Sequence, residues 1–242
     1  MKKGIVYRST GSWYTVQSEG VFYECRIKGK LRLKGIKSTN PVAVGDWVYF
    51  EVDSHANANE GNITKIEERQ NYIVRKSVNL SKQTHIIASN IDQVFLIVTL
   101  NNPPTFPAFI DRFLVTAEAY QIPAIILFNK IDTYSKLELE EITLLQKTYE
   151  NIGYSTYLIS AIQDEGIEKV KELMQDKVSM FSGHSGVGKS TLVNAISPSL
   201  DLKTAAISKQ HQQGMHTTTF AEMFALSNGI KIIDTPGIKG FG

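Results

Sequence analysis

Cysteine is nearly missing from this chain: its 242 residues include one, Cys25. No disulfide can close within it, and a thiolate zinc site would lack ligands. Long apolar stretches are lacking as well. The run near Val94 to Leu100 is far short of the roughly 20 residues that cross a bilayer. Behind the opening Met-Lys-Lys-Gly no apolar segment resembles a signal peptide. A cytoplasmic chain with no membrane partner is expected. The chain also lacks internal repeats and low-complexity tracts. With 42% hydrophobic and 21% charged residues, it is excluded from the disordered, collagen-like and coiled-coil classes.

Neither sign of charge dominates, with 26 Lys/Arg against 24 Asp/Glu, but the balance is uneven along the chain. Residues 1–75 carry 12 basic and 8 acidic side chains, and the remainder 14 and 16. An anionic partner for the front of the chain follows.

That front part reads as short strands rich in Val, Ile, Tyr, Phe and Trp: Gly4 to Arg8, Ser12 to Gln17, Val21 to Ile27, Asp46 to Val52 and Gly61 to Ile66. Gly11, Gly20, Gly29, Gly35, Pro41, Gly45 and Gly61 punctuate them. Such a pattern suits a small Greek-key barrel of the OB type, with an SH3-like barrel or small sandwich as the alternative. From Ser77 strands and helices alternate. Strands are expected at Gln93 to Leu100, Ala124 to Phe128, Ser155 to Ser160, Ser179 to Ser182, Thr218 to Ala225 and Ile230 to Ile233. Helices are expected at Pro107 to Tyr120, Leu137 to Asn151, Gly166 to Gln175 and Lys189 to Ile196. The expected fold is therefore an all-β barrel over residues 1–75, then an α/β domain over 76–242 with a mainly parallel sheet. Ser197 to His216 shows no apolar periodicity, as in a long functional or mobile loop.

The motifs lie in the second part. Gly183-His184-Ser185-Gly186-Val187-Gly188-Lys189-Ser190, followed by Thr191, fits G-x-x-x-x-G-K-[ST] between an expected strand and an expected helix. Its backbone N–H groups can point inward at phosphate oxygens, Lys189 can reach the β- and γ-phosphates, and Ser190 can ligate Mg²⁺. Asn129-Lys130-Ile131-Asp132 follows another strand. Its Asp can accept from both N1–H and N2–H₂ of guanine, a donor pair adenine does not present, which disfavours an ATPase. Asn129 would tie this loop to its surroundings, and the Lys130 stem would lie along the nucleotide. Ser160-Ala161 is placed to offer a backbone N–H to guanine O6. Asp234-Thr235-Pro236-Gly237 ends the last strand, where Asp234 can hold Mg²⁺ through water and the Gly237 N–H can sense a γ-phosphate. Ahead of it, Thr218 or its neighbour Thr217 is the natural second hydroxyl for Mg²⁺.

The order of these motifs is permuted, because the guanine reader precedes the phosphate loop. That order, the OB-like front, His216-Thr217-Thr218-Thr219, Asp234-Thr235-Pro236-Gly237, Ile91-Asp92-Gln93 and Ile110-Asp111-Arg112-Phe113-Leu114 resemble the ribosome small subunit-dependent GTPase family, RsgA or YjeQ. The resemblance spans essentially the whole chain. It implies GTP hydrolysis stimulated by the small ribosomal subunit late in its maturation, with the OB domain on ribosomal RNA.

Arg26, Lys28, Lys30, Arg32 and Lys34 alternate as on one face of a strand, which suits either phosphate contact or an ordinary solvated surface. Trp13, Tyr14, Trp47 and Tyr49 could stack bases, although core packing suits most of them better. Where many GTPases carry a water-orienting Gln after Asp-x-x-Gly, this chain has Ile238, which cannot position water. The resemblance offers His216 as the substitute; a purely structural switch histidine is the alternative. It also implies a further switch helix and a zinc-binding C-terminal domain beyond Gly242, so the chain is expected to be truncated after its switch motif and its own residues to bind no zinc. A monomer is expected.

Overall fold

A computed structural model describes residues 1–27, 41–53, 59–76, 84–198 and 221–234. The chain divides into two compact units, the first holding Met1–Ile91 and the second starting at Asp92, with residues 219–236 shared between them.

In the first unit, β1 (Lys2–Ser9), β2 (Tyr14–Ser18), β3 (Val21–Ile27), β4 (Trp47–Val52) and β5 (Glu60–Ile66) form a closed circuit. β1 pairs antiparallel with β2 and β4, β2 antiparallel with β3, β3 parallel with β5, and β5 antiparallel with β4. That closure selects the OB-type barrel over the sandwich. Alternation along β2 and β3 sends Tyr14, Val16, Tyr23 and Cys25 inward, where they pack with Val6, Val48, Phe50 and Ile63. Burial there pushes the Cys25 thiol up to about 12.

A hairpin of β6 (Tyr72–Lys76) and β7 (Thr84–Ser89) completes this unit. β6 and β7 pair from Tyr72↔Ser89, 17 positions apart, to Lys76↔Thr84, and an ionic clasp joins Ser89 to the barrel. At that clasp the Asp46 carboxylate, fully buried, accepts from Arg69 Nε (2.6 Å) and Nη2 (2.6 Å), from the Ser89 hydroxyl (2.6 Å) and from the Ala43 N–H (2.8 Å). Arg69 Nη2 also donates to the Pro41 carbonyl (2.9 Å). Strand and hairpin are thereby tied to the barrel by one satisfied ion pair.

The second unit begins with β8 (Gln93–Val98), every residue of which is buried, as a parallel strand covered on both faces requires. It continues with α1 (Pro107–Ala119), β9 (Ala124–Phe128), α2 (Lys136–Asn151), β10 (Ser155–Leu158), α3 (Ile167–Met174), β11 (Val178–Ser182) and α4 (Lys189–Ile196). The strand order β10-β9-β8-β11 is parallel throughout, while β12 (Glu222–Ala225) and β13 (Lys231–Asp234) fall in the stretch divided between the two units. Phe95, Ile97, Leu127, Ile159, Val187, Leu192 and Ile232 share one core. β10 stops two residues before the expected Ser160, because Ser160 leaves the ladder to bridge with Glu165. Among the described residues, no helix is long and apolar enough to cross a membrane.

Candidate nucleotide site

Two strand ends build the site, those of β11 and β9. After β11 the chain turns through Gly183–Gly188 into α4. Gly183 and Gly188 have φ of 146° and 100°, and neither has room for a side chain: a Cβ on Gly183 would meet the Ile97 carbonyl at 2.5 Å, and one on Gly188 would strike Asn129 Nδ2. Val187, fully buried, anchors the loop in the core. Ser185 and Gly186 are exposed, Lys189 and Ser190 half-buried, and Thr191 exposed in the first turn of α4. The Lys189 ammonium donates to the carbonyls of Gly183 (2.6 Å) and His184 (2.9 Å). His184 lays its ring against Phe109 of α1, with centroids 3.9 Å apart.

Beyond β9, Asn129 is 2% exposed and works as a three-way tie. Its Nδ2 donates to the Val187 carbonyl (2.8 Å), which fixes the base-side turn to the phosphate loop. Its Oδ1 accepts from the Ala161 N–H (3.1 Å), the group expected to face guanine O6. Lys130 adopts the left-handed conformation, φ 69°, and its ammonium donates to the Asn102 carbonyl (2.5 Å). Ile131–Thr133 form one 3₁₀ turn, which leaves Asp132 exposed. Asp132 Oδ1 accepts from the buried Ser160 hydroxyl (2.6 Å), itself bonded by the Gln163 N–H (3.2 Å). Ser160 thus orients a carboxylate that the sequence pattern marks on its own.

Sequence reasoning missed Tyr134, whose hydroxyl donates to the Asn129 carbonyl (2.9 Å) and accepts from the Leu100 N–H (3.0 Å). Nothing in the four-residue motif beside it signals a tyrosine. It also missed the Ser135–Glu138 capping box that starts α2, with Glu138 reaching Asn101 (2.6 Å). Hydrogen bonds from Ser135 hold the Glu138 carboxyl below the usual range.

Asp234 ends β13, while His216, Thr217, Thr218, Gly237, the loop Ser197 to His216 and the basic residues Lys28, Lys30, Arg32 and Lys34 lie outside the described residues. Arg26 is described: its guanidinium lies over the Trp13 ring at 3.7 Å on the barrel surface. Tyr14 is fully buried, as core packing requires, whereas Trp47 is 39% exposed and lies beside the Lys3 ammonium.

A parallel sheet with a guanine-type turn after β9 and, later in the chain, a phosphate loop after β11, set behind an OB barrel, defines a circularly permuted GTPase. The chain belongs to the RsgA GTPase family: the RsgA GTPase model matches residues 66–242 and the RsgA N-terminal domain model residues 3–63. It is 66% identical over 241 residues to the small ribosomal subunit biogenesis GTPase RsgA of Christiangramia forsetii, covering 99% of this chain and 76% of that protein. A Flavobacterium johnsoniae protein of the same name is 67% identical over 240 residues, covering 99% and 74%. Among solved structures, YjeQ from Thermotoga maritima matches with a TM-score of 0.78 at 31% identity, covering all of this chain and 76% of that one. YloQ, a circularly permuted GTPase, matches with 0.73 at 30% identity, covering 100% and 73%.

Proposed function

We propose that this chain hydrolyses GTP during late maturation of the small ribosomal subunit, in the cytoplasm, binding ribosomal RNA through the barrel in its GTP state and leaving after hydrolysis. The observation that carries the reading is the Asn129 tie, which joins the phosphate loop and the Asp132 turn into one nucleotide-shaped frame. Relatives sharing two thirds of the sequence are named for small-subunit biogenesis.

The α4 N-terminus and the loop amides bind phosphate oxygens, and the Lys189 ammonium exchanges its carbonyl partners for the β- and γ-phosphates. Asp132, aimed by Ser160, accepts from the guanine edge, and Lys130 lines the base. The donor set of Ser190 hydroxyl, Thr218 or Thr217 hydroxyl and Asp234 carboxylate is all hard oxygen, which fits Mg²⁺. That ion supplies charge neutralisation on the transferred phosphoryl group. Gly237 reads the γ-phosphate, and His216 orients the attacking water in place of the side chain that Ile238 cannot provide. Cys25 is buried in the barrel core, and among the described residues no three His, Cys, Asp or Glu side chains cluster.

On the barrel, Arg26 together with Lys28, Lys30, Arg32 and Lys34 makes the phosphate contacts. Residues 1–75 form the RNA-binding part and 76–242 the GTPase part. Cosedimentation with separated ribosomal subunits, in a non-hydrolysable GTP analogue or in GDP, tests the cycle. Binding to small subunits in the analogue and release in GDP is expected; preference for large subunits overturns the partner. His216→Ala is expected to abolish subunit-stimulated turnover while GTP affinity stays within about twofold, and unchanged turnover removes His216 from catalysis.

A further inference from the structure

The base-side turn is held in a conformation that its own residues disfavour. Lys130 carries a Cβ yet sits in the left-handed region, and the Asn129–Lys130 peptide leading into it must keep one orientation for that to persist. Past Lys130, the turn is closed by the Thr133 N–H (2.9 Å) and hydroxyl (2.8 Å), both donating to the Lys130 carbonyl. Ahead of Lys130, the Asn129 carbonyl is held by the Tyr134 hydroxyl, which simultaneously accepts the Leu100 N–H.

Tyr134 is 8% exposed and Asn129 2%, so water cannot easily replace that hydroxyl. Losing it leaves a buried carbonyl and an N–H unpaired and frees the peptide to rotate. Rotation would disturb Asn129, Lys130 and, two residues on, Asp132. From this geometry we infer that Tyr134 is a positioning residue for guanine-nucleotide binding: its hydroxyl locks the Asn129–Lys130 peptide so that the Lys130 stem and the Asp132 carboxylate meet the base in one arrangement. The inference rests on the reading of Asp132 as the guanine contact.

The test uses the full chain and two readouts: the rate at which GDP leaves, and the ratio of GDP to IDP affinity, IDP lacking the 2-amino group that Asp132 would bind. Tyr134→Phe is expected to speed GDP release about threefold to tenfold, the worth of one or two hydrogen bonds, and to narrow the GDP:IDP ratio. Tyr149→Phe is the control. It deletes a hydroxyl bonded to Asp111 Oδ1 (2.9 Å), away from the base turn, and should leave both readouts unchanged. A general loss of folded protein lowers the active fraction but does not move the ratio. Asp132→Asn with XDP tests the underlying reading separately. If it prefers xanthine while Tyr134→Phe matches the wild type in both readouts, the positioning role is overturned. If Asp132→Asn still prefers guanine, the base assignment itself fails and the inference falls with it.

Discussion

The barrel and the GTPase unit would meet their proposed ligands in different ways. In the GTPase unit the chemistry sits on turns between strand and helix, where Gly183, Gly188 and Asn129 leave no freedom to shift: each would collide with, or release, a specific neighbour. On the barrel, described cations lie on regular strands, where Arg26 stacks on Trp13 and Lys3, paired with Glu67 at 2.8 Å, lies beside Trp47. On the proposed function, one unit would work by fixed geometry and the other by charge summed over a surface. Single substitutions should therefore act steeply in the first and in graded fashion on the second, except where a buried pair holds the barrel itself.

The largest effect is expected at that exception. Arg69→Ala strands the fully buried Asp46 carboxylate and should destabilise the first unit by about 3–5 kcal/mol, measured by urea unfolding. A loss under about 1 kcal/mol would show that the clasp is not buried in solution. Next comes Asp132→Asn, for which GDP affinity should fall about 10- to 100-fold, as expected for losing hydrogen bonds to a charged acceptor. Equal weakening of ADP and GDP would break the contrast, because the site would then read phosphate alone. Smaller still, Arg26→Ala should weaken small-subunit binding modestly and lower the salt slope by about one unit, while leaving GTP affinity unchanged. A change in nucleotide affinity would mean that the two modes are not separable. Least of all, Cys25 should stay unreactive to thiol reagents at pH 8 in the native chain, because burial holds the thiol up to about 12 and so protonated. Rapid labelling would mean that the barrel opens.

The two units also differ in how far their sequences announce them. β3, β9 and α4 coincide with their expected ranges, since alternation, a continuous apolar run and a glycine-rich start each have a local cause. The phosphate loop was legible because its glycine spacing between a strand and a helix is a local pattern, although the contacts that require Gly183 and Gly188 come from the distant Ile97 and Asn129. What was not legible depends on distant partners. The β6–β7 hairpin is anchored through Ser89 to Asp46, 43 positions away, and Tyr134 acts on Asn129 and on Leu100, 34 positions away. No periodicity encodes such pairs. Ser160 was marked only as the first half of a weak dipeptide, and its role in aiming Asp132 emerges only when β10 ends early and turns it inward.

The account stands or falls on single-turnover cleavage of GTP with small subunits, with large subunits and with neither. It predicts slow cleavage by the chain alone and a marked acceleration with small subunits. No acceleration would contradict it and would leave a nucleotide-gated RNA-binding module, whereas acceleration by large subunits alone would move the chain to the other half of the ribosome.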